Sequence, residues 1–265
     1  MNIGLALSGG GVRGIAHIGA IKALEEHGIF PTHIAGTSAG AIVGALYANG
    51  NTWQEILEFF KKVQIFRIDK YARNKPGFIN TEKLYDSFIS ILAKDDFSTL
   101  TKPLHITATN LLDGTLKIFT KGELIKPILA SAAFPGVFTP VKIKNDYYID
   151  GGTLNNFPVD LIKPHCDQII GIYVNPFGKV KIEDMKHSYN VLERAYKIRT
   201  ANDYISKFAD CDMAICPKGL NNFNTFSMNV MDTIFDIGYK AAKKEIKSNS
   251  SFQSPETSTI EVDKA

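Results

Sequence analysis

The sequence predicts an α/β protein on a mostly parallel sheet. Two observations lead to this. First, the chain opens strand–helix–strand: an apolar run over Asn2–Leu7, a helical pattern over Ile15–His27 and a second short run near His33–Thr37. That is the unit that pairs strands in parallel. Second, strand-like and helical patterns go on alternating to residue 247, without an internal repeat or a linker rich in Pro, Gly or Ser. Residues 1–247 therefore read as one domain. Residues 248–265 turn to Ser, Thr and acidic residues and read as a disordered tail.

Each element has a local reason. Asn2–Leu7 is apolar and stops at glycines, as a fully buried strand does. In Ile15–His27, Ala20, Ile21 and Leu24 share a face opposite Lys22, Glu25 and Glu26, and Gly28 is the stop. Ala41–Ala48 continues as a helix. Trp53, Ile56, Leu57 and Phe60 fall at helical spacing, as do Leu84, Tyr85, Phe88 and Leu92 within Thr81–Ala93. "PLHITATNLLDGTLKIFT" reads as two strands turning at Asp113-Gly114, and "VKIKNDYYID" as a second hairpin turning at Asn145-Asp146. Glu123–Ala133 is helical, Asp167–Val174 a central strand, His187–Ala209 a long helix, "CDMAIC" a strand and Val230–Lys247 the last helix.

Composition narrows the function. The chain is 45% hydrophobic and 22% charged with net charge +3, too little positive charge for nucleic acid to be the main partner. Cys166, Cys211 and Cys216 form no C-x-x-C, and Cys211 and Cys216 fall on opposite faces of their predicted strand. Free thiols in a reducing compartment follow, with neither a disulfide framework nor a metal site. The first residues lack a basic segment and an unbroken apolar core, so they do not read as a signal peptide. Ile34–Gln54 is uncharged and long enough to span a bilayer. Gly36, Gly40, Gly44 and Gly50 with Asn49 and Asn51 interrupt it, so it reads as strand end, turn and buried helix. The expected location is cytoplasmic, with peripheral membrane association.

The first loop, "LALSGGGVRGIAH", places Gly9, Gly11 and Gly14 at G-x-G-x-x-G spacing before a helix. Such a loop offers backbone N–H groups to an anion. A dinucleotide site also needs an acidic residue about 20 positions on, and "HIAGTSAG" has none there. It has Gly36-Thr37-Ser38-Ala39-Gly40 instead, a G-x-S-x-G turn that lifts a serine from a strand end onto a helix N-terminus. The anion is then the oxyanion of an attacked ester. Gly9, Gly10 and Gly11 are candidates to cradle it. Arg13 is a candidate to add positive charge there or to hold a lipid phosphate, the alternative being a solvated surface arginine. Asp150, ending an apolar run before two glycines, is a candidate base, although Asp-Gly is also an everyday turn. "ASAAFPGVF" at residues 130–138 by itself indicates only a helix end and a loop.

Taken in order, GGGVRG at Gly9–Gly14, GTSAG at Gly36–Gly40, ASAAFP at Ala130–Pro135 and DGG at Asp150–Gly152 resemble the patatin-like phospholipases. The resemblance implies a three-layer α/β/α fold and acyl-ester hydrolysis of lipids. It implies Ser38 as nucleophile, Asp150 as its partner and the glycine loop as oxyanion hole, with no cofactor and no metal. The partner it implies is a lipid ester at a membrane or micelle surface. Ser8 precedes the loop where many family members have Asp. Three rivals stand beside this reading. One is a Ser–acid–His triad using His165 or His187, which the presence of only one strand and one helix before the serine argues against. The others are an idle lipid-binding module on the same fold and a nucleotide-binding protein. Within Trp53–Phe78, Trp53–Phe60 reads as a core-facing helix, and Ile65–Phe78, apolar and basic, as a mobile flap or an interfacial patch.

Overall fold

The computed structural model describes residues 1–63, 65, 84–185, 188–223 and 228–252. The opening unit is β1 (Ile3–Leu7), α1 (Ile15–Glu26), β2 (His33–Gly36) and α2 (Ala39–Ala48), followed by α3 (Trp53–Val63) and α4 (Tyr85–Ile89). A hairpin of β3 (Leu104–Asn110) and β4 (Leu116–Phe119) leads to α5 (Ile125–Ser131), then a hairpin of β5 (Val141–Ile143) and β6 (Asp146–Asp150). Short α6 (Gly152–Asn155) and α7 (Val159–Ile162) precede β7 (Gln168–Ile172), α8 (Ser188–Phe208), β8 (Met213–Ile215) and α9 (Met231–Ser248).

The strands form one sheet in the order β5-β6-β3-β2-β1-β7-β8, with β4 also on β3. β3, β2, β1, β7 and β8 run parallel; β4, β5 and β6 are antiparallel to their neighbours. The pairing around β3 positions the site. Ile106 faces both Gly36 and Phe119, while Ala108 faces both Asp150 and Lys117. A strand has two edges, so β4 holds one edge and β2 and β6 share the other in succession. The end of β2 and the end of β6 therefore abut, two residues apart along β3.

Helices cover both faces. Leu5, Leu7, Ile34, Ile170 and Ile172 point into the larger core with α1, α2 and α9. Ala6 and Ala35 point the other way, into a smaller cluster with Phe157, Ile162 and Tyr173, where Tyr204 and Phe208 of α8 pack. Ala35, Ala6 and Gly171 make a row across three strands. These small residues leave room for the Phe157 ring, which lies against Gly171. This is the expected three-layer α/β/α arrangement. Among the described residues no helix is long and apolar enough to cross a membrane.

Several local expectations need correction. The second hairpin turns at Lys144-Asn145 because Asp146 is already paired with Ile143, and Lys144 takes the left-handed conformation, φ 56°. Cys211 and Cys216 both pack against the smaller core: only Met213–Ile215 is strand, so alternation does not extend to them. All three cysteines are free and half-buried. Ile56, Phe59 and Phe60 of α3 are buried, as is Ile65. The rest of the 65–78 patch, apart from Ile65, lies outside the described residues, as do the start of the 81–93 helix, His187 and residues 253–265. Ser250–Phe252 forms a short turn in which Phe252 is buried.

Candidate active site

Ser38 sits between β2 and α2 with φ 55° and ψ −123°. A non-glycine residue there is strained, by on the order of 1–3 kcal/mol. The turn closes tightly. A side chain at Gly36 would collide with the Gly40 carbonyl, and one at Gly40 with the Leu7 carbonyl. Ser38 begins α2, but its side chain makes no capping bond to the helix, unlike an ordinary N-cap serine. It lines the same cavity as Asp150, and its hydroxyl is among the groups that favour the ionised Asp150 carboxylate.

Asp150 is 2% exposed. Burial pushes its pKa up to about 7, against hydrogen bonds from Ser38, the Gly152 N–H and Tyr196, which pull it down. The Gly152 bond is 2.8 Å. A carboxylate so placed is a far stronger base than a solvated one and is half ionised near neutrality. Tyr196, on the cavity side of α8, is half-buried and lines the same cavity as the carboxylate.

Polar bonds fix the glycine loop. The Gly9 N–H donates to the Asn156 carbonyl at 3.1 Å, so that amide is spent. The Gly9 carbonyl accepts from Asn175 Nδ2 at 2.7 Å and from the Ser8 hydroxyl at 3.1 Å. Because a trans peptide sets C=O and N–H antiparallel, the Gly10 N–H points away from Asn175. Gly10 and Gly11 line one cavity with Ser38, Asp150, Asn156, Phe134, Phe138 and Tyr196. Its volume is about 30 Å³, room for roughly two waters. His17, buried and pushed down to about 4 mainly by that burial, is neutral and donates its ring Nε2–H to the Ser8 carbonyl at 2.8 Å.

Arg13 is not a solvated surface residue; it is 2% exposed. Its guanidinium donates to Asn175 Oδ1 at 2.6 Å, to the Phe223 carbonyl at 2.9 Å and to Glu193 at 3.2 Å. Through Asn175 it reaches the Gly9–Gly10 peptide. Glu193 also pairs with Lys197 at 2.8 Å, whose pKa burial lowers to about 8.

The site rests on residues that the sequence did not single out. Ser131 accepts the Ser38 N–H, and the Ala133 carbonyl accepts the Asp150 N–H at 3.0 Å. The "ASAAFP" segment thus ties nucleophile and acid together. Tyr196, Glu193 and Lys197 recur at i, i+3, i+4 on α8, a spacing that marks one face but not what it meets. His165 is exposed and stacks on His33 and His105. Those two begin β2 and sit near the start of β3, at the end of the sheet opposite the cavity.

The fold and the cavity define a class: a three-layer α/β/α protein whose buried serine and carboxylate meet at the carboxyl ends of parallel strands, where such folds bind ligands. A family model described as patatin-like phospholipase matches residues 5–162, and the chain belongs to that family. An uncharacterised NTE family protein of Mycobacterium tuberculosis is 36% identical over 177 residues, covering 65% of this chain and 49% of that one. Lysophospholipase NTE1 of Mycosarcoma maydis is 25% identical over 278 residues, covering 91% of this chain and 14% of that one. The chain thus spans about half the length of the first of these relatives and a smaller share of the second. The crystal structure of VipD from Legionella pneumophila matches with a TM-score of 0.52 at 14% identity, covering 94% of this chain and 67% of that one. That likeness bears on the fold alone.

Proposed function

We propose that residues 1–247 form a serine acyl hydrolase that releases fatty acid from phospholipid or lysophospholipid through an acyl-enzyme. The observation that carries this is one cavity that holds Ser38, the buried Asp150 carboxylate and the Gly10 and Gly11 backbone together, with burial raising the Asp150 pKa to about 7. Asp150 takes the Ser38 proton as Oγ bonds to the acyl carbon, and the carbonyl electron pair moves onto oxygen. The N–H groups of Gly10 and Gly11 stabilise that oxyanion; removing one such donor costs roughly 3–4 kcal/mol in other enzymes. The intermediate collapses, the alcohol or lyso product leaves with the proton from Asp150, and Ser38 holds the acyl group. Asp150 then takes a proton from water as it attacks the acyl carbon. The fatty acid departs and Ser38 regains its hydrogen. The protein's own groups suffice for each proton transfer. The printed name of the NTE1 relative supports a lysophospholipid as one substrate.

The test is fatty-acid release from phosphatidylcholine and lysophosphatidylcholine by purified protein. Ser38→Ala should lose on the order of 10⁵–10⁶ of the rate. Substantial residual turnover in clean variant protein, or none in the wild type, refutes the proposal and favours an idle lipid-binding module.

A further inference from the structure

Asn156 is 8% exposed and stands between two cavities. On one side it lines the cavity of Ser38 and Asp150. There its amide oxygen borders the same point as the carboxylate: a side chain added at Gly152 would meet Asn156 Oδ1 at 2.6 Å and Asp150 Oδ1 at 3.1 Å. On the other side it lines a second cavity of about 330 Å³, with Asn155, Tyr173, Thr200, Tyr204 and Lys207. Leu154, Arg199 and Ser206 also line this cavity and are exposed, so it reaches solvent. Asn156 Nδ2 is buried and makes no hydrogen bond among the described residues. The Tyr173 hydroxyl lies close enough for the amide to favour its ionised form but is not bonded to it. Leaving such a donor without an acceptor costs about 1–3 kcal/mol, a cost that a bound water removes.

Charge and polarity decide what the second cavity holds. Lys207 gives its three N–H groups to Asn155 Oδ1 at 2.7 Å, the Phe157 carbonyl at 2.9 Å and Asp160 at 2.6 Å. Arg199 is engaged as well. Neither cation is left over for a phosphate. A polar cavity that is this large and reaches the surface holds water. The reactive cavity, by contrast, has Phe134 and Phe138 on its wall. An acyl group on Ser38 has that apolar wall to pack on, and a lipid surface beyond it excludes bulk water. Deacylation still needs a water beside Asp150, and the polar cavity is the side from which one can come.

We infer that Asn156 is the positioning residue through which water from the polar cavity reaches the acyl-enzyme: Nδ2 holds a water on the polar side, and Oδ1 accepts a hydrogen bond from the water that attacks beside Asp150. The inference rests on the hydrolase reading above. Asn156 forms and breaks no covalent bond; the attacking water gives its proton to Asp150 as its oxygen bonds to the acyl carbon. What Asn156 sets is the rate of deacylation, not that of acylation. Stopped-flow turnover of p-nitrophenyl butyrate separates the two steps, the burst of p-nitrophenolate reporting acylation and the steady rate deacylation. Asn156→Leu should leave the burst rate unchanged and lower the steady rate on the order of tenfold to a hundredfold, with a butyryl adduct accumulating on Ser38 in mass spectra. Asn156→Ser, smaller and still polar, should restore the steady rate. Thr200→Leu, which fills part of the polar cavity with Asn156 intact, should slow the same step, and it keeps the test decisive if Asn156→Leu does not fold. Equal slowing of both steps, deacylation unchanged in the folded variants, or a loss seen only as a raised KM for lysophosphatidylcholine overturns the inference; the last would make the polar cavity a headgroup pocket. Absence of both burst and turnover in the wild type would instead overturn the hydrolase reading.

Discussion

Ser131 accepts the backbone N–H of Ser38 at 2.8 Å, across 93 residues of chain. Two positions on, the Ala133 carbonyl accepts the backbone N–H of Asp150. One short segment therefore sets the spacing between the proposed nucleophile and its base, while β3 aligns the strand ends that carry them. Ser131→Ala would leave the buried Ser38 amide without its acceptor, at about 1–3 kcal/mol. Thermal melting should show that loss, and kcat/KM for a soluble ester should fall with it. An unchanged melting temperature with unchanged kcat/KM would show that the bond does not position Ser38.

Asp150 gives a stability prediction with a definite sign. Its pKa is raised from 3.8 to about 7, chiefly by burial. The folded state therefore binds a proton more tightly than the unfolded state. That contribution to stability is fully present below pH about 4 and is lost as pH rises through 7. Asp150→Asn removes the buried charge. The variant should be inactive yet more stable than the wild type at pH 8, by up to about 4 kcal/mol, the advantage shrinking to nothing near pH 4. Denaturant melts at the two pH values check this; equal stability at pH 8 contradicts it.

The same carboxylate sets the pH profile of activity. As the base it must be ionised, so kcat/KM should rise with pH and reach half its plateau near pH 7. Tyr196 donates a hydrogen bond that stabilises the ionised form. Tyr196→Phe should move that limb to higher pH, so that activity lost at pH 7 is largely recovered at pH 9. A uniform loss across the pH range would assign Tyr196 a packing role only.

Asn175 connects Arg13 to the Gly9 carbonyl. Asn175→Ala frees the Gly9–Gly10 peptide to rotate, so the Gly10 N–H no longer meets a developing oxyanion. The loss should appear in kcat, by about tenfold or more, with KM little changed. A rise in KM alone would indicate that the loop binds substrate without stabilising the transition state.

Much of this was legible in the residues. The opening strand–helix–strand, the Asp113-Gly114 hairpin and most helix positions followed from period and turn chemistry, because the larger core enforces the same pattern that the sequence displays. G-x-S-x-G predicted a tight turn, and the collisions awaiting a side chain at Gly36 or Gly40 give the reason. What was not legible depends on distant chain. Nothing near Arg13 announces that Glu193 and Asn175 bury it. Nothing in "ASAAFP" says that Ser131 serves Ser38. Tyr196 sits in a helix that reads as an amphipathic surface element, and only the packing of α8 turns its hydroxyl onto Asp150. The Lys144-Asn145 turn was misplaced because register, not turn propensity, decided it.

The most direct measurement of the central claim is mass spectrometry of the protein after reaction with a fluorophosphonate. A single adduct on Ser38, lost in Ser38→Ala and greatly slowed in Asp150→Asn, is the predicted result. No adduct at Ser38, or equal labelling of the Asp150→Asn protein, would contradict the account.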